Sequence, residues 1–246
     1  MPYVDTHGVS TYYDVTGEGA PVVFLHGGFC SAEVMRELSE QLTGYAVYAP
    51  ERAAHGRTAD RPGEFHYDDG ARDTLTVMDA VGLDQAHLVG FSDGADIGML
   101  IALSHPERVL SLTHISGNLH PGEGVYNTEA TMPADQLELV AKEYAELSPD
   151  GADHSDDVEK RILHMWETEP NIDPASLDAL RMPVLVMAGD GDVLALEHTS
   201  LIHRSIPGAQ LSIVPGTSHM LVREQPALVG AILQHFLDEV GTTPRA

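Results

Sequence analysis

Six short apolar runs rich in valine, isoleucine and leucine recur along the chain, at residues 22–25, 46–48, 87–90, 109–115, 184–187 and 211–214. Runs this short, bounded by turn residues, read as strands, and their continuous apolar character means both faces must be covered. Longer stretches fill most of the gaps. Residues 31–42, 67–81, 95–103, 198–205 and 227–240 carry apolar side chains three and four apart, the spacing that builds one apolar stripe on a helix. Pro106, Pro207 and Gly241 stand where these helices should stop. Strands and helices in alternation predict an α/β fold, a mostly parallel central sheet with helices on both faces.

The rhythm breaks once. Between about residues 117 and 180 no strand pattern occurs, only helical ones near 135–147 and 156–167, with Pro121, Gly122 and Gly124 before them and Pro170, Asn171, Asp173 and Pro174 after. The expectation is a core made of residues 1–116 and 181–246, with 117–180 inserted as a helical lid over the carboxyl edge of the sheet. The stretch from Asn118 to Asp178 holds 15 acids and three bases.

Over all 246 residues there are 38 acids and 13 bases, a formal charge of −25. That field repels phosphate backbones and anionic bilayers, and the two lysines, Lys142 and Lys160, make no basic patch to override it. Neither nucleic acid nor a membrane is therefore expected as a partner. A single cysteine, Cys30, cannot close an intrachain disulfide and is expected as a small buried packing residue. With no basic leader and no run of about 18 apolar residues, the expected location is the cytoplasm. Residues 241–246 are expected to fray. Oligomeric state leaves no mark in the sequence.

The third apolar run enters Gly90-Phe91-Ser92-Asp93-Gly94 and then a helix, the strand, sharp turn and helix setting of a G-x-S-x-G elbow. Small residues at both ends let strand and helix approach while the serine hydroxyl stands clear. A serine needs a base to take its proton, and the base needs an acid to hold its tautomer. Both occur downstream, each after a strand: Gly189-Asp190-Gly191-Asp192, then Gly216-Thr217-Ser218-His219. The histidines form no metal-ligand spacing and no Walker or Rossmann glycine pattern precedes a helix, so neither metal nor cofactor is expected.

With Phe24-Leu25-His26-Gly27-Gly28, these segments resemble the four signatures of the α/β-hydrolase superfamily, over nearly the whole chain outside the lid. The resemblance implies Ser92 as nucleophile, His219 as base and Asp192 as orienting acid, with Asp190 the competing acid. It implies an oxyanion hole from the Gly28 and Phe29 loop and from the Asp93 backbone N–H, at a helix start whose dipole favours an anion. His26 is expected to be structural, as is His55 in the loop after the next strand, where Glu51 replaces the usual aspartate. Tyr126, Met132, Trp166 and Met220 are candidates for the substrate pocket.

Asp93 is unusual, an anion directly after the nucleophile. Two unit charges about 5 Å apart repel by roughly 3 kcal/mol at an effective dielectric of about 20, more than helix-end stabilisation offsets. Its carboxylate is expected to turn away from the oxyanion site, held by backbone N–H groups or a side-chain partner.

The activity implied is a serine hydrolase cleaving a carboxylic ester or related acyl bond of a small molecule. The same residues suit a lactonase or a C–C bond hydrolase acting on a dione-like substrate. A ligand-sensing protein without turnover on the same fold is the reading from another class.

Overall fold

The computed structural model describes residues 2–242. In chain order the elements are β1 Tyr3–Thr6, β2 Val9–Gly17, β3 Ala20–Leu25, α1 Arg36–Ser39, β4 Tyr45–Pro50, α2 Tyr67–Ala80, β5 Ala86–Phe91 and α3 Asp93–Ser104. They continue as β6 Val109–Ile115, α4 Ala134–Leu147, α5 Ser155–Thr168, β7 Val184–Gly189, α6 Leu196–Ser205, β8 Gln210–Val214, α7 Leu221–Glu224 and α8 Pro226–Thr242. One sheet runs in the order β1-β2-β4-β3-β5-β6-β7-β8, antiparallel where β2 meets β1 and β4 and parallel from β4 to β8.

Alternate side chains of each central strand go to opposite faces. Val22 and Phe24 join Leu38, Leu221, Leu233 and Phe236 on the face of α1, α7 and α8. Val23 and Leu25 join Met78, Ile97, Ile101 and Ile202 on the face of α2, α3 and α6. Both faces are buried, which is why the strands read as continuous apolar runs.

The strands β1 and β2 were not expected from the sequence. Their inward positions include Thr6 and Thr11, whose hydroxyls bond each other at 2.5 Å, so polar atoms fill places where an apolar run would have been read. The helix expected over 31–42 is instead a 3₁₀ turn, Ala32–Met35, followed by the short α1. Between β6 and β7, among the described residues, no strand forms beyond a single bridge residue, Tyr126, and α4 and α5 lie where helical patterns were expected. Gly241 and Thr242 continue α8, and residues 243–246 of the tail lie outside the described residues.

Candidate active site

Parallel strands deliver their carboxyl ends to one edge of the sheet, and β5, β7 and β8 each release one of the expected residues there. Ser92 follows β5 with φ 54° and ψ −124°, a conformation sparsely populated for a residue with a side chain. The sheet and the helix hold it on both sides: its N–H donates to Ile115 O at 2.8 Å, and its carbonyl accepts the Ala95 N–H at 2.8 Å. A Cβ on Gly90 would sit 2.1 Å from Gly94 O, and one on Gly94 2.0 Å from Leu25 O. Larger residues at these two positions would push α3 off the sheet and move the hydroxyl.

His219 joins the serine to the acid. Its Nε2 lies 3.0 Å from Ser92 Oγ and its Nδ1 lies 2.7 Å from Asp192 Oδ1. Burial alone would raise the Asp192 pKa, but the His219 charge and hydrogen bonds from His219, the Leu194 N–H and the Ser116 hydroxyl outweigh it, leaving the carboxyl below its ordinary value. An acidic Asp192 fixes the proton on Nδ1, so Nε2 is free to accept the serine proton. Asp190 does other work: its Oδ1 accepts the N–H groups of Gly216 and Thr217 at 2.7 and 3.2 Å, tying the turn after β8 to the turn after β7. Ser116, with φ 52°, went unnoticed in the sequence, where a lone serine after a strand carries no signal.

Among the described residues, no acceptor meets the backbone N–H of Gly28, Phe29 or Asp93. The loop that carries the first two abuts Ser92, since a Cβ on Gly27 would lie 3.1 Å from Ser92 Cβ. His26 is buried beneath this loop with Nδ1 donating to Gly27 O at 2.8 Å and Nε2 accepting the Arg52 N–H at 3.1 Å. Burial, with the Arg52 charge beside it, drives the His26 pKa well below its usual value. His55 is also buried and pushed down to about 3, with Nδ1 donating to Ala53 O. Glu51 is fully buried, accepting from the Ala32 and Arg57 N–H groups and from the Arg57 guanidinium.

The Asp93 carboxylate has three side-chain partners. Oδ1 accepts from Tyr67 Oη at 3.0 Å and from Trp166 Nε1 at 2.8 Å, and Oδ2 from Arg52 Nη2 at 3.1 Å. Held by these side-chain partners, it nonetheless lies against the Gly28 loop. A Cβ on Gly28 would come within 2.8 Å of Asp93 Oδ2 and 2.7 Å of Trp166 Cζ2. The Arg52 cation, absent from the sequence argument, is what permits a carboxylate to stay there. One turn further along α3, Asp96 accepts the Asn118 N–H at 2.8 Å, and burial together with the Asp93 charge pushes its carboxyl well above the usual range.

Of the pocket candidates, Trp166 stands over the loop, edge-on to Phe29 with ring centroids 5.4 Å apart. Tyr126 is 47% exposed and bridges to Leu194. Met132 packs partly buried against the α8-side core, and Met220 is buried within it. Cys30 is buried there too, its thiol pushed up to about 12 by burial. A cavity of about 380 Å³ opens between α4 and α5, lined by Phe29, Leu137, Val140, Ala141, Tyr144 and Val158 among others. Asp60, His154 and Asp157 come together at the edge of α5, where Arg161 pairs with both carboxylates.

Residues 20–155 match the profile of the alpha/beta hydrolase fold family. The protein provisionally named carbamate hydrolase RutD of Azorhizobium caulinodans is 28% identical over 265 residues, an alignment covering 98% of this chain and 99% of that protein. Human serine hydrolase BPHL is 25% identical over 89% of this chain and 79% of its own. The solved structure of Est816, described as an N-acyl homoserine lactone degrading enzyme, is 27% identical, covers 96% of this chain and 100% of its own, and superposes with a TM-score of 0.76. With the elbow, the sheet order and the family match agreeing, the chain belongs to the α/β hydrolase fold family of enzymes.

Proposed function

We propose that the protein is a serine hydrolase that cleaves a carboxylic ester or related acyl bond of a small molecule. The observation that carries the reading is the unbroken line from Ser92 Oγ through His219 to Asp192, at 3.0 and 2.7 Å. Ser92 adds to the substrate carbonyl as His219 Nε2 takes its proton, and Asp192 stabilises the imidazolium. The N–H groups of Gly28 or Phe29 and of Asp93 donate to the tetrahedral oxyanion. The imidazolium then protonates the leaving group, and water activated by the same nitrogen releases the acyl group. Residues 117–180 act as a lid, and the cavity between α4 and α5, which starts at Phe29, takes an apolar part of the substrate.

Lactone opening uses the same addition and elimination at a carbonyl, and the likeness to Est816 over nearly the full chain favours including lactones beside open esters. The test is Ser92→Ala. Turnover of a panel of p-nitrophenyl esters and acyl lactones should fall by about 10³-fold or more with the fold retained, and fluorophosphonate labelling should vanish. An alanine variant that turns over like the wild type rejects the assignment.

A further inference from the structure

One guanidinium nitrogen joins the two halves of the oxyanion hole. Arg52 Nη2 donates to Gly27 O at 3.1 Å and to Asp93 Oδ2 at 3.1 Å. Its own backbone N–H donates to His26 Nε2, whose opposite ring nitrogen donates to the same Gly27 carbonyl. The Cys30 N–H also reaches that carbonyl, at 3.4 Å, so the oxygen of the peptide between Gly27 and Gly28 is held by three donors, of which Arg52 is the only charged one.

That peptide is planar and trans, so its N–H points opposite to its carbonyl. Fixing the Gly27 oxygen toward Arg52 aims the Gly28 N–H the other way. A Gly-Gly peptide has no side chain to bias its torsions, and it can rotate more freely than any other. A rotated peptide would offer the oxyanion a carbonyl oxygen in place of a donor, turning attraction into repulsion. The second donor, the Asp93 N–H, belongs to the residue whose carboxylate Arg52 also holds. Arg52 is mostly buried, with its side chain 15% exposed, so these contacts are made with little water to screen them.

We infer that Arg52 is a positioning residue for the oxyanion hole: it pins the Gly27 carbonyl, thereby aims the Gly28 N–H, and balances the Asp93 carboxylate beside the developing charge. The inference rests on the serine-hydrolase reading. Because the donors matter most when the oxygen is negative, the loss of Arg52 should fall on the chemical step and on binding of transition-state mimics, and little on substrate affinity.

The test compares wild type with Arg52→Met and Arg52→Lys on p-nitrophenyl acetate, with phenylboronic acid as the probe that forms a tetrahedral anion on the serine. Removing one oxyanion donor outright costs about 10² to 10³ in kcat, so misaiming one should cost Arg52→Met about 30- to 100-fold. KM should stay within about threefold, and the boronate inhibition constant should rise in parallel with the loss of kcat. Arg52→Lys, a cation able to reach the same two oxygens, should recover at least about fivefold. If the methionine variant does not fold, Arg52→Gln, which keeps one donor, is read by the same criteria. A folded variant with kcat within about threefold of wild type overturns the inference, as does a loss confined to KM with boronate affinity unchanged. A wild type inert to every ester and to fluorophosphonate would instead overturn the serine-hydrolase reading.

Discussion

Two aspartates in one turn, Asp190 and Asp192, differ only in what faces them. Asp192 points at an imidazole and a serine hydroxyl, whereas Asp190 collects two backbone N–H groups of the next turn. Asp192→Asn should lower kcat by about 10² to 10⁴, because the amide favours the wrong tautomer of His219. Asp190→Asn should leave kcat within about threefold and cost roughly 1 kcal/mol of stability, measured by urea unfolding beside steady-state kinetics. The reverse ranking would make Asp190 the acid. The serine, the histidine and the pair of aspartates were legible because each follows its strand at once, so local sequence reports them. The choice of Asp192 over Asp190 came from the family resemblance, since the residues by themselves do not report where the turn after β8 returns in space. The partners of Asp93 lie 26, 41 and 73 residues away on three different segments, and no local pattern announces them.

At the scale of elements, α4 and α5 carry an acidic surface and are tied to the rest by a few cross-links. Arg223 pairs with Glu143, Asp60 with His154 and Arg161, and Trp166 with Asp93. Like-charge repulsion and the scarcity of strand pairing in residues 117–178 should make this the first region to open, so limited proteolysis should cut there before the β7 region. First cuts within Val184–Gly189 would contradict that order. If the cavity between these helices receives an aliphatic chain, each buried methylene is worth about 0.8 kcal/mol, so kcat/KM should rise by up to about fourfold per carbon until the space is full. Ala141→Trp, which takes up part of the cavity, should flatten that series at shorter chain lengths while leaving acetate esters little changed. The central parallel strands were legible because double burial demands unbroken apolar runs, whereas the edge strand β8, also read as covered on both faces, leaves Leu211 and Ile213 exposed. The β1–β2 hairpin escaped because it sits at the sheet edge with a threonine pair turned inward.

At the scale of the whole molecule, burial holds His26, His55, His114 and His198 neutral. His26 lies well below its ordinary value, His55 and His114 at about 3, and His198 at about 4. The unfolded chain protonates them as pH falls through about 6.5 while the folded chain resists, so their contribution is complete above that pH and lost below it. Removing one of them should lessen the acid sensitivity. His55→Gln, whose amide can still donate to Ala53 O, should show unfolding free energy falling less steeply between about pH 6 and pH 4, by up to about 1.4 kcal/mol per pH unit. Parallel curves for wild type and variant would mean that His55 protonates equally in both states. The chain has one tryptophan, and its indole N–H is bonded to the Asp93 carboxylate, next to Ser92. All tryptophan emission from this protein therefore originates at the carboxyl edge of the sheet, beside Ser92. A label-free fluorescence titration becomes a direct record of that edge, able to register an arriving ligand or a departing α5 in real time without any engineered probe.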